Sequence, residues 1–188
     1  AVSAQNNDCG IEQLNQSQLE EDPTYLDGYN SMLKAFSQNK QFKSDCVKEI
    51  PVVFHMVRTP GKSDSYDNSL VITNQLAHLN NVFAGGINPS PQWANVAAGN
   101  TNIRFVLASV DPDGNSTSGI TTAIGPVYAN LQDVIDDEDV EQWPVDDYLN
   151  IWVCSVPNTQ YGVATYPNTN PTSPNGTSWE GVIINCKA

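Results

Sequence analysis

Hydrophobic and polar positions divide this chain into short apolar runs separated by polar loops. The most continuous run is 50–57 (IPVVFHMV), and the other apolar segments are 103–110 (IRFVLASV), 149–156, 162–166 and 181–185. Apolar runs of four to eight residues between turn-forming residues are typical of strands, and an unbroken run is typical of a strand covered on both faces. The pattern therefore predicts five strands.

A helical stripe follows the first strand. Ile72, Leu76, Leu79 and Phe83 recur at helical spacing, after a capping Asn68 or Ser69 and before Gly85-Gly86. A helix between two strands implies a right-handed crossover, which makes the two strands parallel. The sequence thus predicts an α/β fold with a mainly parallel sheet.

A second amphipathic pattern precedes the first strand. Apolar residues recur at helical spacing within 24–36, and Pro23 lies at the entrance. We expect a helix there, set apart from the sheet by a polar connector at 37–48.

Composition and charge limit the classes of partner that this protein can bind. The 188 residues suit one ordinary domain, and the formal charge of −13 argues against nucleic acids and anionic membrane surfaces as partners. No run of about 18 apolar residues is present, so no membrane span is expected. The acidic surface is most simply explained as one that keeps the protein soluble.

Several features favour an extracellular protein. The four cysteines are even in number, Asn-x-Ser/Thr triplets begin at Asn15, Asn115 and Asn175, and lysine is scarce beside Asn, Ser, Thr and Gly. We therefore expect secretion.

From about Cys9 to Asn185 the chain resembles the pappalysin family of metzincin zinc metallopeptidases. The resemblance is a series of short matches in the family's order. Cys9-Gly10 and Asp22-Pro23 are similar to its pro-segment. The others are IPVVFHMV, NQLAHLNNVF, IRFVLASVDPDG followed by Gly119-Ile120, YLNIWV, YGVATYP and EGVIIN.

The resemblance implies a metzincin-like upper subdomain. Its fold would be a twisted, mainly parallel five-stranded sheet with an antiparallel edge strand and backing helices. Residues 1–48 would be a pro-segment-like helical region, and 49–188 the N-terminal subdomain. In the family the next element is a helix with the motif HExxHxxGxxH, which binds zinc and carries the catalytic Glu; this motif is absent from the 188 residues.

The resemblance also implies a substrate site. The short fourth strand would be an edge that pairs with the substrate backbone by strand addition, and the alternative is an ordinary sheet edge. This role falls on Gly162, Val163, Ala164, Thr165 and Tyr166.

The cysteines allow two interpretations. Cys9, followed by Gly10, matches a family thiol that holds the zinc and keeps the zymogen silent, although Ile11 replaces the usual threonine. The alternative, which we favour, is a Cys9–Cys46 disulfide. Since the family's topology makes the strands that end at Cys154 and Cys186 parallel neighbours, we also expect a disulfide between these two residues.

The remaining residues are weaker candidates for binding a metal ion. His55 lies in a predicted strand and is expected to be a core histidine, whereas His78 is expected on the solvent face of the helix, so no metal site is predicted. Asp111, Asp113 and Asn115 alternate like calcium ligands, but a plain turn is the simpler reading. The acidic residues of 133–141 are most simply a solvated face, with a divalent cation as the alternative.

Two functions remain open from the sequence. The first is the pro-segment and upper subdomain of a secreted pappalysin-like zinc endopeptidase, inactive by itself and completed by a missing catalytic subdomain and a peptide substrate. The second is a non-catalytic extracellular structural, adhesive or assembly protein, whose partners would be other copies of itself. Whether the protein is an enzyme therefore stays undecided at this stage, and the chain itself is expected to hold no cofactor.

Overall fold

The computed structural model describes residues 16, 18–20, 22–38, 46–60, 69–86, 99–135, 137, 140–157, 160–166 and 179–186. The helices named here are α1 (Asp27–Gln38), α2 (Ser69–Phe83) and α3 (Leu131–Ile135). The strands are β1 (Lys48–Arg58), β2 (Ile103–Leu107), β3 (Ile120–Ile124), β4 (Leu149–Cys154), β5 (Gly162–Ala164) and β6 (Val182–Asn185).

The strands form one mixed sheet in the order β2-β1-β4-β6-β5, and β3 also pairs with β1. Because β1 is long, β2 pairs with its first half and β3 with its second half, on the same side. All pairings are parallel except that of β5 with β6. The predicted α/β class, with a mainly parallel sheet and an antiparallel edge strand, is confirmed.

Strand β3 is the element that the sequence analysis missed. Its residues ITTAI mix polar and apolar side chains and are only half-buried or exposed, so they lack the apolar run of a central strand. The strand follows Gly119, whose φ of 71° is a left-handed conformation that favours glycine. The Phe54 amide donates to the Gly119 carbonyl at 2.9 Å, and this bond starts the pairing of β3 with β1.

Both faces of the sheet are covered in its centre. On one face the β1 residues Val52, Phe54 and Met56 pack with Ile72 and Leu76 of α2. The opposite face holds a second cluster, whose members include Val57, Trp152, Trp179 and Ile183. This double burial explains why β1 and β4 appear in the sequence as nearly unbroken apolar runs.

Helix α2 follows the predicted pattern closely. Ile72 and Leu76 are buried, while Leu79 and Phe83 are partly buried against the same cluster. The helix ends at Phe83, and Gly85 adopts a φ of 76° just beyond it. Among the described residues, no helix has the length and apolar character needed to cross a lipid bilayer.

Candidate functional site: the β5 sheet edge beside an apolar groove

Strand β5 ends the sheet, and β6 is its partner among the described strands. The Asn185 amide donates to the Tyr161 carbonyl at 2.8 Å, and the Thr165 amide donates to the Gly181 carbonyl at 3.1 Å. Backbone groups in an antiparallel pair alternate in direction along each strand. The N–H and C=O groups of Gly162 and Ala164 therefore point away from β6, toward the outer edge.

At the opposite edge of the sheet, a side chain closes the middle of β2. Asn80 of α2 accepts a hydrogen bond from the Phe105 amide at 2.7 Å and donates to the Phe105 carbonyl at 2.8 Å. The carboxamide thus satisfies both outward-facing backbone groups in the middle of β2, as a neighbouring strand would. Closing an edge in this way prevents another chain from pairing there. The two edges of the sheet therefore differ.

The segment that follows β5 is held in place from two sides. Thr165 Oγ1 accepts a hydrogen bond from the Gly181 amide at 3.0 Å, in addition to the backbone bond of Thr165 to Gly181. The Tyr166 ring stacks on Tyr29 of α1, with ring centroids 4.4 Å apart and an interplanar angle of 27°. The N-terminal helix therefore contacts the chain directly beside the edge strand.

An apolar groove of about 470 Å³ opens beside α2, on the sheet face that this helix only partly covers. It is lined mainly by apolar residues of α2, β1, β4 and β6: Phe54, Met56, Val71, Ile72, Gln75, Leu76, Leu79, Ile151, Val153, Ile184 and Cys186. Val71 is 43% exposed and Ile184 is 40% exposed. Sheets of this kind are normally covered by helices on both faces, so the groove has the form of a seat for a further apolar element.

His55 is a core histidine, as predicted. It is 1% exposed, and its ring stacks on Trp152 with centroids 5.4 Å apart. Its Nε2 lies 2.9 Å from Asn150 Oδ1, and its Nδ1 lies 2.8 Å from Thr121 Oγ1. Both ring nitrogens are thus engaged within the protein, which leaves no lone pair directed at a metal.

The backbone of Trp143 fixes the tautomer of His55. Asn150 Oδ1 accepts from the Trp143 amide at 2.8 Å, and Asn150 Nδ2 donates to the Trp143 carbonyl at 2.9 Å. Since the amide oxygen faces the ring, Nε2 of His55 carries the proton and donates, while Nδ1 accepts from Thr121. Burial lowers the pKa of His55, and the bond to Asn150 and the charge of Glu141 oppose that shift.

No zinc site can be built from the described residues. Within them, no group of three or more His, Cys, Asp or Glu side chains converges closely enough to hold a metal ion. His55 is buried with both nitrogens bonded, and His78 is exposed on α2. Cys9, the candidate zymogen thiol or disulfide partner, lies outside the described residues.

The predicted Cys154–Cys186 disulfide is wrong, although the predicted strand order is correct. β4 and β6 are parallel neighbours, but Cys154 is paired in register with Asn185. Since side chains alternate between faces, Cys186 lines the groove on the α2 face while Cys154 is buried in the opposite cluster. Instead of bonding the other sulfur, Cys186 Sγ donates to the Cys154 carbonyl at 2.9 Å. The Cys9–Cys46 pairing involves a residue outside the described ranges.

The acidic candidates Asp111, Asp133 and Asp137 serve the local fold, while Asp136, Glu138 and Asp139 lie outside the described residues. Asp111 Oδ1 accepts from the amides of Asp113 and Asn115, at 3.0 and 2.7 Å, which makes DPDGN a plain turn. Asp133 accepts from the Ala129 amide at 2.9 Å, at the start of α3, and Asp137 accepts from the Tyr128 hydroxyl at 2.5 Å. These carboxylates are occupied by donors of the chain itself.

The sequence analysis missed two residues that shape the site. Asn80 was not distinguished from other polar helix residues, since its partner Phe105 lies 25 positions away. Asn150 was read only as part of a strand. A lone Asn inside the apolar run LNIWV was the available signal, because a buried amide must find hydrogen-bond partners.

Structures of mirolysin are among the solved structures that are similar to this chain. Promirolysin mutant E225A from Tannerella forsythia matches with a TM-score of 0.69 and 29% identity, over 92% of this chain and 57% of that chain. Mature mirolysin from the same organism, in complex with a cleaved peptide, matches with a TM-score of 0.59 and 34% identity over 76% of this chain and 53% of that one. Mirolysin in complex with compound 9 matches with a TM-score of 0.59 and 33% identity, over 75% of this chain and 53% of that chain.

These likenesses support the pappalysin family, to which mirolysin is related, and the fold is metzincin-like. The chain spans little more than half the length of these structures. No protein-family model matches the chain, and no curated protein matches it significantly.

Proposed function

We propose that this chain is the pro-segment and upper subdomain of a secreted pappalysin-type zinc endopeptidase. In this proposal β5 binds the substrate backbone, and the zinc and its catalytic Glu come from sequence outside these 188 residues. The described residues supply no zinc ligands, so they position the peptide and carry out no bond cleavage by themselves. The contrast between the two sheet edges carries the proposal.

Strand addition at β5 follows from that contrast. Asn80 satisfies the backbone of Phe105 at the β2 edge, whereas Gly162 and Ala164 direct both of their backbone groups outward at the β5 edge. An extended peptide beside β5 would exchange hydrogen bonds with these two residues, which fixes its register while its side chains alternate in direction. One of the similar structures is a mature mirolysin with a cleaved peptide.

The groove beside α2 is the proposed seat of the zinc-bearing part. Its lining is almost wholly apolar, and it reaches Cys186, the last described residue. The similar structures contain a further 43–47% of their length that this chain does not match. An amphipathic helix from that further sequence would bury Val71, which is 43% exposed.

The N-terminal region is the proposed pro-segment. The likeness to the promirolysin structure covers 92% of this chain, but the likeness to mature mirolysin covers 76%. Tyr29 of α1 stacks on Tyr166, so this helix already lies beside the proposed substrate edge. Cys9 stays the candidate thiol for silencing the zinc, with a structural disulfide to Cys46 as the alternative. The even cysteine count and the Asn-x-Ser/Thr triplets favour an extracellular setting.

The test compares the 188-residue chain with a longer product that includes the sequence following it in the gene. Zinc is measured by native mass spectrometry, and cleavage of unstructured peptides is measured with and without a chelator. We expect one zinc and chelator-sensitive cleavage in the longer product, with neither in the 188-residue chain.

A companion variant tests the groove. Val71→Asp in the longer product should separate the two parts, because it places a charge on an exposed wall of the groove, whereas Val127→Asp, at another exposed position, should not. If the longer product holds no zinc, cleaves nothing and assembles through β5, the non-catalytic assembly protein is the correct reading instead.

A further inference from the structure

Gly162 leaves one residue of the neighbouring strand uncovered. In the register of β5 with β6, Gly162 lies directly opposite Ile184, and Ala164 lies opposite Val182. Side chains that are opposite in register project from the same face of a sheet. Since Gly162 has no side chain to lie over its neighbour, Ile184 is 40% exposed inside an otherwise apolar surface.

The surroundings require glycine at position 162. A Cβ built there would lie 2.5 Å from the Ile183 carbonyl oxygen, a backbone atom that cannot move without disturbing the pairing of β5 with β6. The gap over Gly162 is therefore a fixed property of the edge. Ala164, two residues further along the same face, fills the equivalent space with a methyl group.

We infer that β5 selects peptides that carry a large apolar side chain, best an aromatic one, opposite Gly162. This inference rests on the proposed function, since it assumes that a peptide is added along β5. The outward N–H and C=O of Gly162 hold one peptide residue directly opposite in an antiparallel pairing. A large ring on that residue lies across the bare glycine and reaches Ile184, as aromatic residues cover edge glycines in other sheets.

The neighbouring side chains of a bound peptide find fewer contacts on β5 than the one opposite Gly162. The residue opposite Ala164 meets a methyl group in front of Val182, which is already half-buried. The residue between them projects to the other face, where Val163 is 7% exposed and packs within the core cluster. The side-chain preference is therefore concentrated at a single position, while the backbone bonds are shared along the strand.

The test uses the 188-residue chain and labelled eight-residue peptides of Thr and Val, with Phe moved through each position. Binding is followed by fluorescence anisotropy, and the register by hydrogen exchange of the β5 amides and by photo-crosslinking from benzoylphenylalanine. We expect binding to improve about fivefold at one Phe position, the size of one cross-strand pair. The crosslink from that position should fall on Gly162 or Ile184.

Variants separate this inference from the proposed function. Ile184→Ser should abolish the Phe preference, Ile184→Leu should keep it, and Val127→Ser, an exposed apolar-to-polar control, should change neither the preference nor the binding of the all-Thr/Val host. Circular dichroism verifies folding. A host peptide that neither binds nor protects β5 overturns the proposed function. A host that binds without a Phe preference, or a preference that survives Ile184→Ser, overturns this inference alone.

Discussion

The Tyr29 ring stacks on Tyr166 at a centroid distance of 4.4 Å, and this contact joins the N-terminal helix to the segment beside the β5 edge of the sheet. The two residues are far apart in sequence, and Tyr166 is only half-buried. A stacked aromatic pair contributes about 0.5–1.5 kcal/mol beyond the area it buries. Such a contact is strong enough to hold α1 near β5 and weak enough to release it.

Replacing Tyr29 should therefore loosen α1 from the sheet edge. In Tyr29→Ala we expect faster hydrogen exchange at Gly162–Tyr166 and faster proteolysis within 22–38, with the exchange of β1 unchanged. Tyr29→Phe keeps the ring and serves as the control. Equal exchange of the edge strand in wild type and Tyr29→Ala would mean that the stack does not hold the helix there.

Removing the Asn80 carboxamide should open the β2 edge. Asn80→Ala leaves the amide and carbonyl of Phe105 without their partner, which costs about 1–3 kcal/mol for a partly buried pair. Urea denaturation gives the loss in the free energy of unfolding, and light scattering reports new association through β2. Asn81→Ala, at the adjacent exposed position of α2, is the matched control and should have a much smaller effect.

Adding a methyl group at Gly162 should detach β5 from β6. The new Cβ would lie 2.5 Å from the Ile183 carbonyl oxygen, so Gly162→Ala must separate the strands or shift the backbone. We expect a loss of about 1–3 kcal/mol, as for other overpacked sites, and loss of protection at Val163. Gly99→Ala is the control, because nothing lies within 4 Å of a Cβ at that position.

His55 should make the fold sensitive to acid. Burial lowers the pKa of His55 in the folded state, so as pH falls below about 6.5 the unfolded chain binds a proton before the folded chain does. Stability is therefore full above about pH 6.5 and is lost as pH falls toward the folded pKa, with a slope of at most about 1.4 kcal/mol per pH unit.

Urea denaturation at pH 5 to 8 measures this slope. His55→Gln should reduce it between pH 5 and 6.5, while His78→Gln, on the exposed side of α2, should leave it as in wild type. Wild type and the two variants contain the same carboxylates, so the groups that titrate at lower pH contribute equally to all three slopes. A slope that persists in His55→Gln would assign the acid sensitivity to other groups.

The two cysteines at the strand ends should react very differently. Burial raises the pKa of the Cys154 thiol to about 12, with a further contribution from Cys186, so Cys154 stays a protonated thiol at pH 8. Iodoacetamide should label the exposed Cys186 readily and spare Cys154 until the protein unfolds. A non-reducing peptide map that links Cys154 to Cys186 would contradict the one-residue offset between the strands.

The pattern of amino acids within each segment was sufficient to predict the central elements of the fold. The run from Ile50 to Val57 predicted a strand buried on both faces, and the stripe from Ile72 to Phe83 predicted the covering helix, because burial imposes a period on the sequence. The order of the motifs indicated the antiparallel edge strand through a family resemblance. Strand β3, which is only half-buried or exposed, had no such period and was missed.

The sequence by itself determined which segments are apolar enough to form the sheet, and that His55 belongs to its core. Only the tertiary structure decided the register, which aligns Cys154 with Asn185 instead of Cys186 and so places the two thiols on opposite faces. It also decided the partners of His55, since Asn150 lies 95 positions away. Local periodicity reflects burial, whereas register and long-range hydrogen bonds depend on how separate strands slide against one another, and a shift of one residue changes every pairing.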